Sequence, residues 1–284
     1  MRLVITGAAG MLGQDLVAAA RGAGHDALAM PRAQLDISDR GAVEAALSAA
    51  HADVVFNCAA WTDVDGAESS PEQALAVNGA GAGTVARAAA AAGAWTIHVS
   101  SDYVFDGAKR APYMESDPVG PLSSYGRSKL AGEREVAAAA PERHTVVRSS
   151  WLFGAGGPCF PATILRLAGE RDELKVVDDQ IGCPTFTGHL AQALVELGTR
   201  GSLPVGILHV AGGGICSWYE FAREIVDGSG VSCEVQTCTT AEMPRPATRP
   251  AYSVLRSERD APVLPDWRRG LAEYIALSRA VSAT

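Results

Sequence analysis

Short apolar runs alternate along the first half of the chain with longer stretches in which apolar positions recur every three or four residues. Residues 2–6 form an apolar run ending at Gly7, and residues 11–23 carry helical periodicity up to Gly24. A second strand is expected over 25–30, followed by a helix from Ser38 or Asp39 as cap to about Ala50 and a third strand over 53–58. Ser70-Pro71 opens a long helix, with Pro71 suited to its first position. A fourth strand over 95–100, a helix over 123–140 and a fifth strand over 145–150 complete the series. Continuous apolar strands are buried on both faces, and intervening helices imply βαβ units. Right-handed crossovers then leave an α/β fold with a doubly wound parallel sheet of the Rossmann type.

After Trp151 the pattern loosens, with Pro and Gly interrupting it more often. Strands are expected at 174–177 and 206–210, and helices at 188–198, 217–228 and 267–280. The Pro-rich stretch 244–250 reads as either an ordered loop or a mobile lid. The organisation expected is a cofactor domain over 1–151, rejoined by a segment near 175–200, and a smaller interleaved substrate lobe drawn mostly from 152–284.

Bulk properties narrow the class. Of 284 residues 48% are apolar, enough for a sizeable core, and the net charge of −8 argues against a nucleic-acid polymer as partner. No stretch approaches the roughly 18 apolar residues of a membrane span. The chain runs directly into an apolar strand without a cleavage-site pattern, so a soluble, cytoplasmic protein is expected. Six cysteines lack any C-x-x-C pair and the histidines lack metal spacing, which points to reduced thiols and no metal.

Two constellations carry chemistry. Gly7-Ala8-Ala9-Gly10-Met11-Leu12-Gly13 stands between the first strand and the first helix. Glycines there let backbone approach a pyrophosphate, which the helix N-terminus attracts. The end of the second strand, Ala29-Met30-Pro31-Arg32, has no acid to bind a ribose 2′-hydroxyl. Arg32 suits a 2′-phosphate instead, so NADPH is expected, with NADH left open. The alternative is that Arg32 is a solvated surface charge.

The second constellation is Tyr125-Gly-Arg-Ser-Lys129, a phenol and an ammonium at i and i+4 on one helix face. Lys129 and an oxidised nicotinamide both favour phenolate, so Tyr125 is expected to titrate below its ordinary value of about 10. Ser101, at the end of the fourth strand, can donate to a substrate carbonyl as charge develops on it.

Together with Phe56-Asn-Cys-Ala-Ala-Trp-Thr-Asp-Val-Asp65, Val99-Ser-Ser-Asp-Tyr-Val-Phe-Asp-Gly107, Arg148-Ser-Ser-Trp-Leu-Phe-Gly154 and Val177-Asp-Asp-Gln-Ile-Gly-Cys-Pro-Thr185, these stretches resemble the dTDP-4-dehydrorhamnose reductase family of extended short-chain reductases. The resemblance runs through Arg245-Pro-Ala-Thr-Arg-Pro-Ala-Tyr-Ser253 and so covers nearly the whole chain. It implies reduction of the 4-keto group of a dTDP-sugar, with Tyr125 as proton donor, Lys129 supporting it and binding the nicotinamide ribose, and Ser101 replacing the more usual Thr. It also implies a cofactor lining of Gly10, Met11, Leu12, Asp36, Ile37, Ala59, Ala60 and Trp61. Thr62, Asp102 and Trp151 would face the sugar, although Trp151 also reads as a plain core aromatic.

One departure leaves the sugar open. Gly157-Pro-Cys-Phe160 carries Cys159 where the family commonly has Asn, and a thiol donates hydrogen bonds only weakly. A different 4-keto-deoxysugar, of secondary-metabolite type, is therefore an alternative substrate. A 4,6-dehydratase is disfavoured because Asp102 is followed by Tyr103 and not by a second carboxylate. The rival from another class is a non-catalytic NADP-binding regulatory subunit, against which the intact Ser101, Tyr125 and Lys129 weigh. Oligomeric state stays open, a homodimer included.

Overall fold

The structure, a computed structural model, describes residues 1–282. In chain order the first strands are β1 (Arg2–Thr6), β2 (Asp26–Met30), β3 (Val54–Asn57), β4 (Trp95–Ser101) and β5 (His144–Ser149). They are followed by β6 (Leu152–Phe153), β7 (Glu173–Val177), β8 (Ile181–Gly182), β9 (Thr185–Phe186), β10 (Gly206–His209), β11 (Cys216–Ser217) and β12 (Glu234–Cys238). Six of them form one sheet in the order β10-β5-β4-β3-β1-β2, every neighbouring pair parallel. The doubly wound parallel sheet read from the apolar runs is thus the observed architecture.

Burial explains why those runs are unbroken. Leu3, Val4, Ile5, Val55, Phe56 and Ile97 are sealed from solvent, because helices cover both sheet faces. Leu12 and Leu16 of the Met11–Gly22 helix meet Leu190, Leu194 and Leu197 of the Thr187–Gly198 helix on one face. On the other, Val43 and Leu47 of the Arg40–Ala50 helix join Val85 and Ala89 of the Ala82–Ala91 helix. Asp39 caps the Arg40–Ala50 helix, its carboxylate accepting from Ala42 N at 3.0 Å.

The long helix expected from Pro71 is interrupted. Pro71–Leu75 is α-helical, Ala76–Gly81 widens into a π-helical stretch, and Ala82–Ala91 resumes the α-helix. The segment that rejoins the first half consists of the Thr187–Gly198 helix and β10, whereas β7 pairs with β12 outside the main sheet.

The remaining elements surround a second core. Phe153, Phe186, Phe221, Trp267 and Tyr274 pack there with Ile164, Leu174 and Ile225. Around them lie the Phe160–Glu170, Trp218–Ser229 and Trp267–Ser282 helices and three two-stranded ladders, β7 with β12, β8 with β11 and β6 with β9. Neither the Phe160–Glu170 helix nor β12 is anticipated by the sequence pattern. No helix among the described residues is long and apolar enough to cross a membrane.

Candidate active site

β1 and β3 are neighbours, and chain progression reverses between them, so a crevice opens at their C-terminal ends. Gly7 sits there with φ +64°, and a side-chain carbon added to it would stand 2.6 Å from the Ala59 backbone nitrogen. Gly13 is constrained as tightly, since its added carbon would lie 2.3 Å from the Gly7 carbonyl oxygen. Two glycines therefore let the turn, the following helix and the end of β3 converge. The Met11–Gly22 helix begins at Gly10 with no side-chain cap and no acid in its first turn. Its leading N–H groups suit an anion. Leu12 is buried in the core, so only its backbone faces the crevice, while Met11 is part-exposed. Gln14 adds an unforeseen tie, its amide donating to Ala9 O at 2.8 Å and to Gly156 O at 2.9 Å.

At the end of β2, Arg32 is 82% exposed and reaches Asp36 at 3.4 Å, a contact too solvated to fix it. Hydrogen bonds from Ser38 hold the Asp36 carboxyl below the usual range. The Ile37 side chain is buried with Met30 and Leu35, leaving its main chain as the part open to a ligand. Ala59, Ala60 and Trp61 follow β3, and Asn78 clamps that loop. The Asn78 Oδ1 accepts from Trp61 N at 2.8 Å, and its Nδ2 donates to Trp61 O at 3.0 Å and to Ser128 Oγ at 2.9 Å. Asn78 belongs to the π-helical stretch, a deviation that often marks functional sites. No motif exposes it in the sequence.

Ser101 ends β4, and Tyr125 and Lys129 lie on the Ser124–Ala139 helix, whose cap Ser123 accepts from Gly126 N at 3.1 Å. The structure brings all three to one edge of the sheet. Ser101 Oγ donates to Asp102 Oδ1 at 3.0 Å and accepts from Tyr103 N at 3.2 Å. Lys129 Nζ donates to Val99 O at 2.7 Å.

The electrostatics correct one expectation. Burial pushes the Tyr125 phenol up to about 12, opposed by a hydrogen bond with Ser101 and reinforced by the nearby Asp102 carboxylate. Lys129 contributes nothing resolved to that value. Its ammonium is turned to the Val99 carbonyl, and burial lowers it to about 8 against the upward pull of Glu133 and Cys58. Enclosure outweighs the charge effect that the i, i+4 spacing suggested. Beneath Lys129, Glu133 and Arg148 form a buried two-pronged ion pair at 2.8 and 2.7 Å, and Ser100 Oγ donates to Glu133 at 2.6 Å. A buried pair like this links helix to sheet, and the sequence gives no sign of it.

Of the sugar-facing expectations, Asp102 is enclosed, and burial raises its carboxyl to about 7. Thr62 is exposed in the loop after β3. Trp151 has φ +47°, a left-handed conformation costly for a bulky residue. It is held by parallel stacking on Trp218 at 3.5 Å and by Gly182, whose added carbon would sit 2.4 Å from the indole. Half-buried and strained, Trp151 packs at the edge of the second core. Cys159 is buried, its Sγ 3.6 Å from Gly154 O and 3.7 Å from Tyr274 Oη.

The Pro-rich stretch is an ordered strap. Arg249 grips Asp65 with both nitrogens, at 3.0 and 2.9 Å, and Ala247 N donates to Asp65 at 3.1 Å. Further along, Ile181 N donates to Ala251 O and Ser253 N to Ile181 O.

The family model described as RmlD substrate binding domain matches residues 1–280. A dTDP-4-dehydrorhamnose reductase of Mycolicibacterium smegmatis is 46% identical over 282 residues, covering 97% of this chain and 85% of the relative. The crystal structure of a dTDP-4-dehydrorhamnose reductase from Clostridium acetobutylicum superposes with a TM-score of 0.94 at 40% identity, covering 98% of this chain and 100% of that one. The Bacillus anthracis dTDP-4-dehydrorhamnose reductase, solved in complex with NADP, gives a TM-score of 0.92 at 34% identity, with coverage of 98% and 99%. Motifs, topology and near-complete coverage agree: the chain belongs to the RmlD family, that of the dTDP-4-dehydrorhamnose reductases.

Proposed function

We propose that this chain is an NADPH-dependent sugar-nucleotide 4-ketoreductase, acting on a dTDP-4-keto-6-deoxyhexose and converting dTDP-4-dehydrorhamnose to dTDP-L-rhamnose. The observation that carries the reading is the adjacency of the Ser101 and Tyr125 hydroxyls, with Lys129 one helical turn on, at the sheet edge beside the glycine turn. The residues fit a dinucleotide: Gly7 and Gly13 let the turn pack tightly between β1, β3 and the helix, and the uncapped helix start beside it receives the pyrophosphate. Arg32, loosely paired and exposed, is free to meet a 2′-phosphate, which favours NADPH over NADH.

NADPH, when bound, supplies the hydride that the sugar C4 accepts. The residues of the chain do the rest. Tyr125, its pKa held near 12, is a protonated phenol at neutral pH and is the group that delivers a proton to the C4 oxygen. Ser101 donates to the same oxygen as negative charge grows there. Lys129, anchored on Val99, keeps positive charge at the phenol side of the crevice and offers its ammonium to the nicotinamide ribose. Gly10, Met11, Leu12, Asp36, Ile37, Ala59, Ala60 and Trp61 line the cofactor. Thr62, Asp102 and Trp151 face the sugar, Trp151 from where the cofactor domain meets the second core. We divide the chain accordingly into a cofactor domain over 1–151 with a returning segment and a substrate lobe mostly over 152–284.

Six free thiols, four of them buried, favour the reducing cytoplasm as location. Sedimentation of the purified chain tests for a homodimer.

The deciding experiment follows NADPH oxidation with the epimerised and unepimerised dTDP-4-keto-6-deoxyhexoses and reads product configuration by NMR. Stoichiometric consumption with the epimerised sugar supports the reading. Cys159, a thiol turned to Gly154 and Tyr274 where an amide is usual, favours a second reading, a different 4-keto-deoxysugar, and preference for the unepimerised substrate would point there. Tight NADPH binding without turnover of either would leave a regulatory subunit.

A further inference from the structure

Tyr103 touches both groups that handle the substrate oxygen. Its backbone N–H donates to Ser101 Oγ at 3.2 Å, and its ring meets the Tyr125 ring edge-on, with centroids 5.5 Å apart and planes at 81°. An edge-to-face pair at this separation restricts both rings. The far end of Tyr103 lies within the field of the Arg249 guanidinium, whose charge acts on its hydroxyl. Arg249 is itself fixed by the two-pronged grip on Asp65, and the Asp65 carboxylate also accepts from Ala247 N. A planar guanidinium gripped by a carboxylate through two nitrogens is an oriented charge and not a loose one.

The arrangement is therefore a series of interacting neighbours, Asp65–Arg249–Tyr103–Tyr125, which runs from the loop after β3 through the strap to the phenol. The strap is tied at its other end to β8, next to the glycine on which Trp151 rests. Nothing in the proposed reduction requires Tyr103, Arg249 or Asp65 to touch the reacting atoms.

We propose that Tyr103 is a positioning residue for the reduction, clamped by the Asp65–Arg249 ion pair so that its ring and N–H fix where Tyr125 and Ser101 present their hydroxyls. The inference rests on the ketoreductase reading. It places a determinant of turnover in the C-terminal strap, about 124 residues beyond the phenol it serves.

The test compares Tyr103→Phe, which keeps the ring and loses the hydroxyl, with Arg249→Met and the double variant. Each single variant is expected to lower kcat about threefold to thirtyfold at unchanged NADPH affinity. The double variant should fall no further than the worse single one, because both break the same series of interactions. Tyr103→Leu, which removes the ring, should lose more than Tyr103→Phe. Multiplied losses in the double variant, or a rise in KM with kcat intact, would overturn the proposal. A readout free of turnover separates it from the ketoreductase reading. In protein labelled with 3-fluorotyrosine, the Tyr125 fluorine resonance, assigned by its absence in Tyr125→Phe, should shift or broaden in Arg249→Met. An unmoved Tyr125 resonance sinks the positioning role whatever the substrate proves to be, while a moved resonance without turnover of any dTDP-sugar sinks the substrate reading alone.

Discussion

In the main sheet, strands of four to seven residues pair along their length, and aliphatic side chains fill the space beneath the helices. In the second lobe two of the three ladders are only two residues long, and the core is dominated by aromatic rings. Phe153, Phe160, Phe186, Trp218, Phe221, Trp267 and Tyr274 form a connected cluster with centroids between 4.5 and 6.3 Å apart. The sheet is specified by backbone pairing, which any β-branched or aliphatic residue supports. The lobe depends on particular large side chains, so single deletions there should be felt more, and by the sugar site before the cofactor site.

Phe221→Ala is the most severe way to break that contrast. Phe221 is fully buried and meets Phe153, Phe160 and Trp267, so its truncation should cost about 3–5 kcal/mol in urea unfolding. NADPH binding should outlast dTDP-sugar binding as denaturant rises; simultaneous loss of both would mean the two cores unfold as one.

A comparable effect should come from pH. Burial raises the Asp102 carboxyl to about 7, so the folded protein keeps a proton that the unfolded chain releases near 4. The corresponding stability is complete below about pH 4 and is lost as pH rises through about 7, a fall of at most about 4 kcal/mol. Asp102→Asn should flatten the decline of the urea midpoint between pH 5 and pH 8. Equal declines in variant and parent would remove Asp102 as the cause.

Chemistry at the sheet edge is the next target. Tyr125→Phe should reduce turnover at least about 10²-fold, the lower end of general-acid effects, while NADPH still binds. Parent-like turnover would take Tyr125 out of the proton step. Smallest is the loss of a cap in the lobe. Ser217 and Glu220 form a reciprocal capping box at the start of the Trp218–Ser229 helix, and Ser217→Ala should cost about 1 kcal/mol, read by thermal unfolding. A sheet-side cap removal such as Asp39→Ala, measured alongside, tells whether the lobe is the more sensitive half.

Legibility in the sequence followed the same division. β1 and β3 announce themselves because a strand buried on both faces reads as a nearly unbroken apolar run, and Gly7 ends the first of them. The Phe160–Glu170 helix carries no clear signal in the sequence, since Gly and Pro crowd its approach and Pro161 stands within its first turn. β12 is silent in the sequence because its positions are half-exposed and its partner β7 lies far along the chain. Within the site, Tyr125 and Lys129 were readable from helical spacing and Ser101 from a strand end. The direction of the Tyr125 shift was not, because desolvation depends on everything packed around the phenol.

What the sequence determined alone is whatever local periodicity and short spacing encode: the parallel sheet, the glycine turn, the phenol–ammonium pair and the family. Tertiary structure decided the contacts between distant segments. Asp65 meets Arg249 across 184 positions, Asn78 reaches Ser128 across 50, and Trp151 takes its strained backbone only because Trp218 and Gly182 hold it. Such pairings carry no periodic signature, since their partners are chosen by where the folded chain passes and not by what lies beside them in sequence.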